Sequence, residues 1–133
     1  MKALVVDDSQ VIRCFLRGLL EPEGIEVSEA NDGAEALAAL KVSGPIDLLM
    51  LDWRMPGLDG FDVLCALRAE PRFDNMSIVM VTTETDLEQV TKALDSGADE
   101  YIMKPFNRDG ILEKLNLLKS KPRFIADAGN SEM

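Results

Sequence analysis

The sequence predicts an open α/β fold, one parallel sheet with helices covering both faces. Apolar runs of strand length alternate with longer segments of helical period five times along the chain, the pattern that parallel strands and crossover helices produce. Most of the runs are apolar at successive positions, as in Ala3-Leu4-Val5-Val6, which is how a strand buried on both faces reads. Acids then follow the runs directly, Asp7-Asp8 after the first and Asp52 after the third. In an open α/β sheet ligands bind beyond the carboxyl ends of the strands, so three acids leaving two such ends converge on one crevice.

Strand one is expected near 2–7. Helix one takes Ser9 as N-cap and carries Val11, Ile12, Phe15, Leu16, Leu19 and Leu20 on a buried face until Pro22 and Gly24 end it. Strand two, near 25–30, is the more polar one. Helix two follows Asn31-Asp32-Gly33, buries Ala36, Leu37 and Leu40, and stops at Gly44-Pro45. Strand three is placed near 46–51, and helix three follows Gly57-Leu58-Asp59-Gly60 with Phe61, Val63, Leu64 and Leu67. Gly57 and Gly60 serve the turn before that helix. Strand four is expected near 77–82, and helix four near 86–96 with Leu87, Val90, Ala93 and Leu94 inward. Strand five is expected near 99–103, and helix five starts at Asn107 as N-cap and uses Ile111, Leu112, Leu115 and Leu118 before Pro122 ends it. Cys14 and Cys65, among apolar helix neighbours and without CxxC spacing, read as small core residues.

A chain of 133 residues that is 47% hydrophobic fits one domain. Residues 1–119 are its folded part and 120–133, mixing Lys, Arg, Gly, Asn and Ser, a short mobile tail. The net charge of -10 opposes binding to nucleic acid or an anionic membrane surface. No apolar run has the length of a membrane span, and Met1-Lys2 leads into a strand without a signal-peptide pattern, so a cytoplasmic location is expected. The absence of histidine removes Ser-His and Cys-His catalysis, histidine metal ligation and phosphohistidine carriage together. Carboxylates, hydroxyls and lysine must do the chemistry.

At about 5 Å spacing and an effective dielectric of about 20, each pair of the clustered carboxylates repels by roughly 3 kcal/mol. That cost implies a bound cation, a shifted pKa, or both. Carboxylate oxygens suit a hard ion such as Mg²⁺, although Asp7 and Asp8 also sit where an N-cap beside Ser9 would. Strand four ends in Thr82-Thr83 and strand five in Lys104-Pro105. Four strand ends thus contribute to one place.

Val5-Val6-Asp7-Asp8-Ser9, Leu51-Asp52-Trp53-Arg54-Met55-Pro56-Gly57-Leu58-Asp59-Gly60, Val81-Thr82 and Met103-Lys104-Pro105-Phe106, with the Gly97-Ala98-Asp99-Glu100-Tyr101 approach, stand at these positions. Together they resemble the response-regulator receiver family in its single-domain, CheY-like form, over residues 2 to about 119. The resemblance implies a flavodoxin-like doubly wound sheet of five parallel strands, order 2-1-3-4-5, with five helices. It implies that Asp52 is the phosphoacceptor, assisted by Thr82 and Lys104. Mg²⁺ (or Mn²⁺) would be held by Asp8, Asp52 and the Arg54 backbone carbonyl, with Asp7 acting mainly through water. The family register selects Thr82 over Thr83 as the switch hydroxyl, makes Tyr101 its partner, and implies a cis Lys104-Pro105 bond.

The same resemblance implies a two-component signalling protein, a phosphoacceptor with self-catalysed transfer and autodephosphorylation and not an enzyme acting on a substrate. A histidine kinase or phosphotransfer protein would supply phosphate, and a protein target would bind the helix 4–strand 5–helix 5 face, possible roles being a chemotaxis-type shuttle or a phosphorelay step. The protein would be a monomer or a phosphorylation-dependent dimer. Arg54 and Glu84 occupy positions that tune phosphate lifetime and carry opposite charges, whereas Thr83, bulkier than usual, would narrow access to Asp52. The competing reading is a Mg²⁺-dependent small-molecule phosphatase with Asp52 as nucleophile. Such haloacid-dehalogenase-like enzymes need a second acid two residues on, where this chain has Arg54.

Overall fold

The computed structural model describes residues 1–83 and 87–120, without the side chain of Leu87. Glu84, Pro122 and the expected tail beyond Ser120 lie outside the described residues. Five strands, β1 (Lys2–Val6), β2 (Glu26–Ala30), β3 (Leu48–Asp52), β4 (Ser77–Thr82) and β5 (Glu100–Met103), alternate with α1 (Gln10–Leu20), α2 (Gly33–Val42), α3 (Gly60–Arg68), α4 (Leu87–Asp95) and α5 (Arg108–Lys119). All neighbouring strands pair parallel in the order β2-β1-β3-β4-β5, as expected. Reversal of the strand order beside β1 opens the crevice at the carboxyl ends of β1 and β3.

Strand alternation builds two cores. Leu4, Val6, Leu49, Leu51, Ile78 and Met80 face one way, onto Ala36 and Leu40 of α2, Val63, Leu64 and Leu67 of α3, and Ala93 of α4. Ala3, Val5, Leu48, Met50, Val79 and Val81 face the other way, onto Leu16 and Leu20 of α1 and Ile111, Leu115 and Leu118 of α5. Each fully buried Val, Leu, Ile or Met side chain there removes apolar surface worth about 1.5–3 kcal/mol from water. β2 is more polar because it is an edge strand, with only Val27 and Ala30 buried along it.

Local signals set the helix starts. Ser9 caps α1 by accepting from the Ile12 amide at 3.3 Å, and Asn107 caps α5 by accepting from the Gly110 amide at 2.8 Å. Asp32 and Asp59 cap α2 and α3 in the same way.

Several expectations are corrected. Val11 and Phe15 are 77% and 41% exposed, because the stripe of α1 that meets the sheet runs through Leu16 and Leu20, about 100–180° round the helix from them. Phe15 instead leans on Phe106, ring centroids 5.7 Å apart. Leu94 is 39% exposed, one position past the buried Ala93. Cys14 and Cys65 are both exposed and free, on the flanks of their helices and not in the core. β3 begins at Leu48 and not near 46, since the Asp47 amide donates to the Lys2 carbonyl before the regular ladder starts. Pro22 does not stop the chain's helical path at once; it opens a 3-10 turn, Glu21–Glu23, that Gly24 ends with φ of 83°.

Candidate functional site

Asp7 follows the last residue of β1 and Asp52 is the last residue of β3, so both carboxylates emerge at the same sheet edge. Asp7 is 2% and Asp52 5% exposed, while Asp8 is exposed. One oxygen from each of Asp7, Asp8 and Asp52 lies within 4.8 Å of the others. Register brings in β4 and β5: Asp52 pairs with Val81, and Thr82, 2% exposed, pairs with Met103. The Lys104 amide donates to the Thr82 carbonyl at 2.8 Å. Lys104 is followed by a cis bond to Pro105, as expected.

Lys104 Nζ donates to Asp7 Oδ2 at 2.9 Å and lies 3.4 Å from Asp52 Oδ1. The nearer partner is thus Asp7. Asp7 Oδ1 accepts from the Ser9 amide at 2.9 Å, so both Asp7 oxygens already have donors. Asp8 and Asp52 keep oxygens available for a cation. Burial, then the charge of Asp7, push the Asp52 carboxyl up to about 6, against the lowering pull of Lys104. Burial pushes the Lys104 ammonium down, but the hydrogen bond to Asp7 and the charge of Asp52 outweigh it and raise its pKa above the ordinary value.

The loop after β3 shapes the mouth. Gly60 is required there, because a Cβ would run into the Asp52 carbonyl oxygen and approach the Trp53 Cα to 2.9 Å. Gly57 turns the same loop with φ of 77°. Trp53 stacks on Phe61 at 5.4 Å, and Lys92 of α4 lies 4.4 Å from the Phe61 ring centre. Arg54 and Thr83 are exposed at this edge. Tyr101, half-buried on β5, lies under Lys114, whose Nζ is 4.5 Å from its ring centre and 3.0 Å from Glu100 Oε1.

The donor set is all oxygen, with no thiol or imidazole in the cluster, and suits a hard divalent ion. Asp7, Asp8, Asp52, Thr82 and Lys104 are brought together as the sequence reading requires; Tyr101 lies one strand residue from the buried Ile102 and outside the acidic cluster. Two arginines escaped that reading. Arg13 bonds the Asp7 carbonyl, and Arg68 joins the carbonyls of Phe73, Met76 and Gly97 to Asp99. Their partners are distant in sequence, and only the strand order makes them neighbours. Among the described residues no helix is long and apolar enough to cross a membrane.

The response regulator receiver domain matches residues 3–116. The chemotaxis protein CheY of Pseudomonas aeruginosa is 40% identical over 116 residues, 86% of this chain and 93% of that protein. The chemotaxis response regulator CheY4 of Vibrio cholerae superposes with a TM-score of 0.81 at 36% identity, over 87% of this chain and 96% of that one. The response regulator protein TrrA of Thermotoga maritima, solved in complex with Mg²⁺–BeF, gives 0.76 at 36% identity, over 88% and 97%. The chain belongs to the response regulator receiver domain family and is a phosphorylation-activated signalling receiver.

Proposed function

We propose that Asp52 is the phosphoacceptor and that the protein is a chemotaxis-type receiver which changes partner affinity on phosphorylation. The observation that carries this is a buried carboxylate at the end of β3, beside two further acids and 3.4 Å from Lys104. An Asp52 oxygen attacks phosphorus, the bond from phosphorus to the donor's nitrogen or oxygen breaks, and the product is an acyl phosphate. The donor is a histidine kinase or phosphotransfer protein. Lys104 meets the negative charge of the transferred group, and Thr82 donates its hydroxyl to a phosphoryl oxygen.

Asp8, Asp52 and the Arg54 carbonyl would hold Mg²⁺ (or Mn²⁺), with Asp7 acting through water. Bound there, the ion supplies charge neutralisation for the equatorial phosphoryl oxygens. Asp7 serves this by fixing Lys104 and the turn at Ser9.

Thr82 moving toward the phosphoryl group draws in the end of β4, and Tyr101 repacks toward the space left. The α4–β5–α5 face then differs in affinity for a protein target between two states. The protein acts in the cytoplasm as a monomer or a dimer formed on phosphorylation. Hydrolysis of the acyl phosphate by water resets it, at a rate tuned by Arg54, Thr83 and Glu84. A phosphatase turning over small phosphomonoesters is disfavoured because Arg54 stands where its general acid would be.

Intact-mass measurement after incubation with acetyl phosphate and Mg²⁺ tests the reading. One added phosphate, lost in Asp52→Asn and in chelator, is expected. Wild-type protein that takes up none overturns it.

A further inference from the structure

We propose that Arg13 is a positioning residue for the cation site, acting through the backbone of Asp7 and not through its own charge. The inference rests on the reading of Asp7, Asp8 and Asp52 as a cation site. Arg13 lies in the first turns of α1, and its guanidinium touches three segments at once. Nη1 donates to the Asp7 carbonyl at 2.6 Å and to the Asn31 side-chain oxygen at 3.2 Å, and Nε donates to Glu29 Oε1 at 2.9 Å. Arg17 takes the second oxygen of Glu29 at 2.8 Å. The Arg13 side chain is only 15% exposed, so this is a seated group and not a solvated one. Its anchor is the end of β2, and its free hand holds the site.

The carbonyl it holds lies where the sheet stops holding. The β1 pairings with β2 and β3 both end at Val6, so the Asp7 carbonyl is past the last rung. A peptide unit is planar, so fixing the Asp7 oxygen also fixes the Asp8 nitrogen and leaves one backbone torsion to set where the Asp8 side chain departs. Asp7 is otherwise held through its amide, which donates to the Ala30 carbonyl at 3.2 Å, and through its carboxylate, by Ser9 and Lys104; its carbonyl is held by Arg13. The exposed Asp8 side chain leaves from that backbone with an oxygen within 4.8 Å of those of Asp7 and Asp52. Its aim toward Asp52 therefore depends on the backbone that Arg13 secures. Partners that orient metal ligands from the second sphere matter in this way.

The sign of the effect separates positioning from the other two roles an arginine plays here. As a nearby positive charge Arg13 repels a divalent ion, so a charge effect alone makes its removal tighten binding. As a brace between α1 and β2 it supports the fold, and a purely structural loss lowers stability while the folded protein keeps its affinity. Positioning makes removal weaken binding in spite of the charge.

Mg²⁺ is titrated into the full chain as wild type, Arg13→Met, Arg13→Lys and Asp8→Asn, followed by Trp53 emission, with a urea midpoint for each. The expected Arg13→Met Kd is about tenfold weaker, at the low end of the 10–100-fold loss that removal of outer-sphere partners produces. Arg13→Lys, which keeps the charge and one donor, falls between. A Kd at or below the wild-type value in both Arg13 variants overturns the proposal, whatever the urea midpoints do. If Arg13→Met does not fold, Arg13→Lys decides: a Kd weaker than wild type supports the proposal and a Kd at or below the wild-type value overturns it. A wild type whose emission ignores Mg²⁺, or an Asp8→Asn that binds as wild type, overturns the cation-site reading itself, a result distinct from normal binding in the Arg13 variants.

Discussion

Replacing Asp52 by Asn in the metal-free protein should stabilise it, and by an amount that depends on pH in one direction only. The Asp52 side chain is 7% exposed and shares its crevice with Asp7 and Asp8. Its carboxyl is pushed from 3.8 to about 6, by burial first and the charge of Asp7 second. Because the folded pKa is the higher one, the native state holds a proton that the unfolded chain releases between those values. Stability from this group is fully present below about pH 3.8 and is lost as pH rises through about 6. At 1.36 kcal/mol for each tenfold step, the loss reaches about 3 kcal/mol near pH 7.5 and is only about 0.5 kcal/mol near pH 4. Asparagine has nearly the same volume and no charge, so Asp52→Asn escapes the loss. Urea unfolding in chelator, followed by the emission of Trp53, the single tryptophan, gives the difference between variant and wild type at each pH. The stabilisation should grow by about 2.5 kcal/mol between the two conditions. An equal difference at both refutes the electrostatic account of the cluster. Saturating Mg²⁺ should raise wild-type stability near neutral pH and leave Asp52→Asn less changed.

Three further outcomes follow from the same geometry. Lys104→Met removes a cation competing for the Asp7–Asp52 pair, so Mg²⁺ should bind several-fold more tightly by Trp53 titration; weaker binding would show that Lys104 orders the site more than it competes. Arg68→Met leaves Asp99, 11% exposed, and the carbonyls of Phe73, Met76 and Gly97 without their guanidinium. A loss of about 3–5 kcal/mol in urea stability is expected, with the Mg²⁺ Kd within twofold of wild type because the network lies at the amino ends of β4 and β5. Thr83→Ala, at the exposed residue after β4, should speed phosphorylation by acetyl phosphate in a fluorescence-monitored assay; an unchanged rate would show that Thr83 does not limit access to Asp52.

The site was legible because its residues stand where buried strands end. A run such as Leu48-Leu49-Met50-Leu51 has to stop at the sheet edge; one acid there is often only a turn residue, but acids, a hydroxyl and a lysine at four such ends point to one place. Helix exposure was less legible. Val11 and Phe15 share the apolar period of α1, but the sheet covers only the arc through Leu16 and Leu20. Cys14 and Cys65 were placed in the core by their neighbours' character, when the rotation of each helix decides which neighbours a side chain joins.

The sequence by itself determined the order of strands and helices, the capping residues Ser9 and Asn107, and the identity of the acids, hydroxyl and lysine that meet at one edge. These follow from local period and from chain position. Only the tertiary structure decided that Lys104 sits nearer Asp7 than Asp52, that Asp7 has both oxygens engaged, and that Arg13 reaches from Glu29 to the Asp7 carbonyl. Those contacts join residues from different strands and helices, and differences of half an ångström between them depend on how the sheet is ordered and how each helix is rotated upon it.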